Sequence, residues 1–186
     1  MSITLIEDVF SQEDIDHIHK VVSMSEYEVQ DVLGRLVVDS LENHLTESMV
    51  KRLYEIAAKA SDLPLKIDHA MYVEYNRLYG VPNLPPHFDR DTNDLIVNMQ
   101  LESNTDWEIG LNLQTYTLKD NSAVLFNGNT ESHWRTKKTF KDGEYVKMVF
   151  VRFYNSEKRS DYSYLPNNPG DEVFKEINEL IHRLSD

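Results

Sequence analysis

The chain has 186 residues, 40% of them apolar, which suits one domain with a sizeable core and excludes global disorder. There are 19 Lys and Arg against 32 Asp and Glu, a net charge of −13, so the surface repels phosphate backbones and nucleic acid is not an expected partner. No cysteine is present, which excludes disulfides, zinc knuckles and thiol catalysis.

The opening MSITLIEDVF has neither a basic leader nor a long apolar run, so no signal peptide is expected. No apolar stretch approaches the roughly 20 residues of a membrane span, so the expectation is a soluble cytoplasmic protein without membrane contact. Ser11 can cap a helix whose apolar positions Ile15, Ile18 and Val22 recur at helical spacing. Residues 31–41 (DVLGRLVVDSL) fit a strand or a helix equally. Thr46 caps a clearer helix with Met49, Leu53, Ile56, Ala57 and Ala60 on one face.

From about residue 68 the texture changes to short β-rich runs between Pro, Gly, Asn and Asp clusters: AMYVEY, DLIVNMQL, WEIGLNLQTY, SAVLFN and EYVKMVFVRFY. Six to eight strands in an antiparallel sandwich or barrel are expected. Asp142–Gly143 reads as a hairpin turn before the last long strand. After Pro169, Asp171 caps a final helix with Val173, Ile177, Leu180, Ile181 and Leu184 on its apolar face. The expected layout is a single domain over 1–186. It has a helical part at 1–65, a β core at 66–156, and a tail with one helix at 157–186.

LPPHFDRDTND places His87 and Asp89 two residues apart, so in an extended strand both side chains point the same way. A third ligand follows a β-run and a Gly/Asn turn in SAVLFNGNTESHW, namely His133. Two His and one carboxylate on one face of a metal leave three positions open, which is the facial triad of non-haem iron(II) oxygenases. By itself His-x-Asp is also compatible with a surface ion pair. In DLIVNMQL, Leu95, Val97, Met99 and Leu101 share a plain core face, while Ile96, Asn98 and Gln100 share a face whose amides suit a wet cavity.

The order of these segments carries more than any one of them. Tyr72 and Tyr75 precede His87-Phe88-Asp89; IVNMQL, EIGLNL and AVLFNG follow; then come His133-Trp134 and Lys147 in YVKMVFVRF. From Met71 to Tyr154 the chain resembles the 2-oxoglutarate- and Fe(II)-dependent dioxygenase superfamily, in particular its prolyl 4-hydroxylase-like branch. The resemblance implies a mainly β (α+β) fold: a double-stranded β-helix, or jelly-roll, cupin-like barrel. Helices from the N-terminal part pack on it, with one helix at the C-terminal end. It implies His87, Asp89 and His133 as ligands of Fe(II), with 2-oxoglutarate as cosubstrate and O2 as oxidant. The implied activity is hydroxylation of an unactivated C–H, in a prolyl residue or a related amino-acid or peptide substrate, coupled to decarboxylation to succinate and CO2.

The same resemblance calls for a cation inside the barrel for the far carboxylate of 2-oxoglutarate, near the start of the last long strand. Lys147 is the expected anchor, although it lies further from His133 than is usual in the family; TFKDGEY reads as a longer hairpin. On that strand Lys147, Val149 and Val151 share one face, and Met148, Phe150 and Arg152 the other; Arg152 and Arg135 are the alternative anchors. A lysine between valines is costly to bury without an anion, and an inward partner would explain it. Tyr75 and Asn98 are further candidates for holding the cosubstrate. Arg135 and Gln100 are candidates for the substrate, small molecule or peptide, and Arg135 is equally compatible with a rim position. The loop 76–86, with three prolines, departs from the family pattern before the His-x-Asp and is expected to form a rim. Two other classes fit the residues less fully: a cupin-like metal enzyme without 2-oxoglutarate, and a non-catalytic jelly-roll binding module. Monomer and homodimer are both open.

Overall fold

In the computed structural model, residues 3–89, 93–157, 176–177 and 179–183 are described. The elements run β1 (Thr4–Ile6), α1 (Gln12–Met24), β2 (Glu28–Gln30), β3 (Arg35–Val38), α2 (Glu47–Ala60), β4 (Leu65–Asn76), β5 (Leu84–His87), β6 (Leu95–Ser103), β7 (Ile109–Leu111), β8 (Gln114–Tyr116), β9 (Ser122–Phe126), β10 (His133–Arg135) and β11 (Tyr145–Asn155). They form a seven-stranded sheet, β1-β9-β6-β11-β4-β3-β2, and a four-stranded sheet, β5-β10-β7-β8. All strand pairs are antiparallel. This is the jelly-roll architecture expected from the sequence.

Both helices start where their caps are. The Ser11 hydroxyl accepts from the Asp14 backbone N–H, and the Asp14 carboxylate accepts in return from the Ser11 backbone and hydroxyl. Thr46 accepts from the Met49 N–H at 3.2 Å. The buried stripe of α2 is the one its spacing predicts: Met49, Leu53, Ile56, Ala57 and Ala60.

Asp14 does more than cap its own helix. Its carboxylate also accepts from Thr46 Oγ1 at 3.2 Å and Ser48 Oγ at 2.8 Å, tying the first turn of α1 to that of α2. Burial opposes ionisation of Asp14, but these hydroxyl and backbone donors outweigh it and hold the carboxyl below its ordinary range. Asp14→Ala is therefore expected to cost about 2 kcal/mol at pH 7, from a lost cap and lost bonds to a charged group. A carboxyl with a depressed folded pKa stabilises above its unfolded value of about 3.9, and that contribution is lost as pH falls through the lower folded value. Urea denaturation of both proteins at pH 7 and near pH 3 checks this, since the gap should narrow in acid.

The segment 1–65 is not purely helical. It also supplies β1 and β3, which pair with β9 and β4, and β2 beyond them, and so widens the large sheet. The ambiguous stretch 31–41 splits into a 3₁₀ turn at Asp31–Leu33 and strand β3. Gly34 divides them in a left-handed conformation, φ 61°. WEIGLNLQTY becomes two three-residue strands, β7 and β8. Asp142–Gly143 does make a turn, closed by Glu144 N–H to Lys141 C=O at 3.1 Å. It is not a hairpin, because β10 before it and β11 after it lie in different sheets. Residues 176–177 and 179–183 are helical, with Ile177 buried; Asp171, Val173 and Leu184 lie outside the described residues. No helix among the described residues is long and apolar enough to cross a membrane.

The large sheet is apolar on both faces, which gives two cores. One face, with Val97, Met99, Val149 and Val151, packs against Ile18, Leu53 and Ile56 of the helices. The other, with Val73, Tyr75, Val124 and Met148, packs against Ile109 and Leu111 of the small sheet. Leu95, Val97, Met99 and Leu101 lie on the helix side, as their shared face predicts. The candidate site lies between the sheets. β5 is an edge strand of the small sheet, the position where Pro85 and Pro86 remove no ladder bond from a second neighbour.

Candidate metal and cosubstrate site

His87 ends β5 and His133 begins β10, and the two are directly paired across the sheet. Their rings stand 4.1 Å apart between centroids. Asp89, just past β5, is held by its N–H to the Gly128 carbonyl at 2.9 Å. A Cβ on Gly128 would sit 2.8 Å from Asp89 Oδ2, so glycine is what gives the carboxylate room. Asp89 Oδ1 lies 3.9 Å from His87 Nε2 and 3.5 Å from His133 Nε2. Ligand atoms of all three lie within 4.8 Å of one another.

The protonation states suit a cation. His87 Nδ1 faces the Pro85 carbonyl at 2.8 Å and His133 Nδ1 faces the Glu131 carbonyl at 3.2 Å. A carbonyl only accepts, so each Nδ1 carries a proton and each Nε2 is the nitrogen turned toward Asp89, where a metal would bind. Burial and the neighbouring His133 push the His87 pKa down. Burial opposes the charge of Asp89, yet the hydrogen bond and charge of His133, with His87 and Asn93, keep its carboxyl below the usual range. A divalent metal would displace any proton on either Nε2, since it binds neutral imidazoles and an ionised carboxylate. One Asp89 oxygen thus lies 3.5 and 3.9 Å from the two Nε2 atoms, and the three side chains together would hold one ion.

The triad opens into a pocket of about 420 Å³ between the sheets. Ile96, Phe126 and Phe150 make its apolar wall, and the Phe126 ring lies 5.0 Å from that of His133. Arg135 also lines this pocket, on the strand face it shares with His133. It is buried, its guanidinium stacked 4.7 Å above the Trp107 ring. One NH2 group donates to the Trp107 carbonyl, and the other lies 3.3 Å from Met148 Sδ. Burial pushes its pKa down to about 10, while Tyr75 works the other way, so it stays charged at neutral pH. The Tyr75 ring packs 4.8 Å from Trp107. Its hydroxyl and Asn98 Oδ1 are buried with no hydrogen-bond partner among the described residues. A buried cation without a carboxylate, beside two unsatisfied polar atoms, is costly unless an anionic, hydrogen-bonding guest completes the set. These residues fit the distal carboxylate of a 2-oxo dicarboxylic acid.

Two candidates lie elsewhere. Lys147 does not line the pocket. It is on the helix side of β11, with Nζ 3.2 Å from Glu102 Oε1 and 4.7 Å from the centre of the Tyr145 ring. Glu102 is its direct cross-strand partner on β6, and this ion pair is what makes a lysine beside valines tolerable. Gln100 is also outside the pocket; its amide donates to the Leu118 carbonyl at 2.9 Å. Tyr72 faces the helices and donates to Glu74. Of the pocket residues, Arg35 on β3 carries no sequence signal, because only sheet pairing brings β3 next to β4. Arg152 was visible as the residue sharing a face with Met148 and Phe150, and that face is the one that meets the pocket.

No family model and no curated protein matches the sequence. Solved structures do match the fold. HygX from Streptomyces hygroscopicus, with nickel and 2-oxoglutarate bound, aligns with a TM-score of 0.62 at 9% identity over 83% of each chain. A prolyl hydroxylase from Trichoplax adhaerens, in complex with a hypoxia-inducible-factor oxygen degradation domain peptide, aligns at 0.60 and 10% identity over 85% of this chain and 86% of that one. SnoK, a non-heme alpha-ketoglutarate-dependent carbocyclase from nogalamycin biosynthesis, aligns at 0.65 and 10% identity over 83% and 79%. The chain has the fold of the 2-oxoglutarate/Fe(II) oxygenase structures, prolyl hydroxylases among them.

Proposed function

We propose that this protein is an Fe(II)- and 2-oxoglutarate-dependent dioxygenase that hydroxylates an unactivated C–H bond. The observation that carries the reading is the convergence of His87, Asp89 and His133 at a pocket in which Arg135 is buried without a carboxylate partner among the described residues. The chain's own residues divide the work. His87, Asp89 and His133 hold the ion, with the Pro85 and Glu131 carbonyls fixing the imidazole tautomers. Arg135, Tyr75 and Asn98 hold and orient the far end of the cosubstrate. Ile96, Phe126 and Phe150 keep bulk water from the reacting centre. Iron and 2-oxoglutarate, when bound, supply activation of O2 coupled to decarboxylation to succinate and CO2.

An amino-acid or peptide substrate, a prolyl residue in the first instance, is the finer reading that the sequence resemblance supports. The fold leaves that choice open, since its neighbours include both a peptide-bound prolyl hydroxylase and a carbocyclase. Anaerobic titration of 2-oxoglutarate into the Fe(II) protein should raise a weak visible charge-transfer band, and admitting O2 with amino acids or prolyl peptides should yield succinate. Bound iron without the band would leave a metal-binding barrel of another chemistry.

A further inference from the structure

Among the described residues, most lysines and arginines that lack a carboxylate partner are exposed to solvent; three arginines that are buried or half-buried are different. Arg52, Arg77, Lys119 and Lys147 each pair with a Glu or Asp. The three arginines lining the triad pocket, Arg35, Arg135 and Arg152, pair with no carboxylate among the described residues. Against them the described wall of this pocket sets one carboxylate, Asp89, an excess of two positive charges on this side; Glu26, Glu28 and Asp39 line the neighbouring cavity on the other side of Arg35 and Arg152. Adding a divalent metal and a dianionic cosubstrate together leaves that surplus unchanged.

Arg135 lies at the Met148 level of β11. Arg152 is four residues further along the same strand face, paired with Ile96, whose other neighbour is Phe126 beside His133. Arg152 is thus at the metal's level rather than at the cosubstrate's far end. Its Nε is buried and makes no hydrogen bond among the described residues. Arg35 reaches the same region from β3; its Nε donates to Gln30 Oε1 at 2.8 Å, and its charge is felt at His87. Both arginines also line a neighbouring cavity of about 440 Å³, so they form the wall between it and the triad pocket.

We infer that Arg152 and Arg35 form an oxyanion subsite for the substrate, holding a carboxylate or phosphate group beside the metal while the rest of the substrate extends toward the neighbouring cavity. This rests on the oxygenase reading for the word substrate, but not for the anion site itself. Two guanidiniums suit an oxyanion because each offers a planar fork of donors. A free carboxylate belongs to an amino acid or a chain terminus, and an internal peptide residue lacks one. The inference therefore favours a small acid or a terminal residue over a prolyl residue within a chain.

The test uses the full-length protein with Fe(II) and 2-oxoglutarate under anaerobic conditions. Acetate, benzoate and inorganic phosphate are titrated by calorimetry, with acetamide and benzamide as neutral controls. The expected result is saturable binding of a carboxylate or of phosphate, the better of the two naming the group. The amides should not bind. Arg152→Met and Arg35→Met should each weaken the anion by about tenfold or more and leave the 2-oxoglutarate band intact. No saturable anion binding, equal binding of the amides, or unchanged affinity in Arg152→Met/Arg35→Met would overturn the inference. Loss of the 2-oxoglutarate band in Arg152→Met alone would also overturn it, by making Arg152 the cosubstrate anchor. If the native protein shows no band but binds anions in an Arg152-dependent way, the subsite stands and the oxygenase reading fails.

Discussion

Arg135→Met is expected to weaken 2-oxoglutarate binding by roughly 100-fold or more while leaving Fe(II) binding in place. Two hydrogen bonds from a guanidinium to a carboxylate contribute about 1.5–3 kcal/mol each in a water-poor pocket, and every 1.4 kcal/mol is a factor of ten. The anaerobic charge-transfer titration reads this directly. Thermal stability should not fall with it. The guanidinium is buried beside Trp107 and Met148 with no carboxylate among the described residues to offset its desolvation, so methionine removes a cost as well as a function. Lys147→Met is the matching control and should leave 2-oxoglutarate affinity unchanged, because Lys147 is engaged with Glu102 on the helix side of the sheet. Unchanged affinity in Arg135→Met, with a loss in Lys147→Met, would reverse the assignment.

The second large effect is expected at the triad. His133→Ala removes the ligand closest to Asp89, at 3.5 Å, and leaves two donors. Loss of an outer hydrogen-bond partner of a metal ligand already costs about 10–100-fold in affinity, so loss of the ligand itself should exceed that range. Equilibrium dialysis of Fe(II) or Mn(II), with succinate formation measured in parallel, checks it. Affinity should also depend on pH with a definite sign. Protons compete for the same lone pairs, so binding weakens as pH falls. For His87, whose pKa is held below the ordinary imidazole value of about 6.5, that competition begins only in more acid solution. A His133→Ala protein that binds metal as well as the native one would remove the triad from the site.

Much of this was legible without coordinates. The caps and stripes of α1 and α2 are local: Ser11, Thr46 and the i, i+3, i+4 spacing act within one turn of backbone. The metal candidates were legible for a similar reason. His87 and Asp89 are fixed relative to each other by two residues of extended chain, and His133 follows a strand and turn whose residues announce themselves. The strand β10, three residues long, and the contribution of β1–β3 to the large sheet were not legible, because what makes them strands is a partner distant in sequence.

The sharpest division runs through β11. The sequence by itself determined that Lys147 and Arg152 point to opposite faces, because side chains alternate along a strand. It could not determine which face meets the pocket, since valines flank one set and Met148 and Phe150 the other, and both sides of the sheet are buried. Pairing with β6 decided it: Phe150 lies opposite Asn98, and Lys147 opposite Glu102. That register puts Arg152 on the pocket wall and Lys147 under the helices. It also leaves Arg135, from the other sheet, as the deep cation. The candidate metal ligands His87 and Asp89 were legible from local spacing, whereas which cations line the pocket beside them was set by the register of strands distant in sequence.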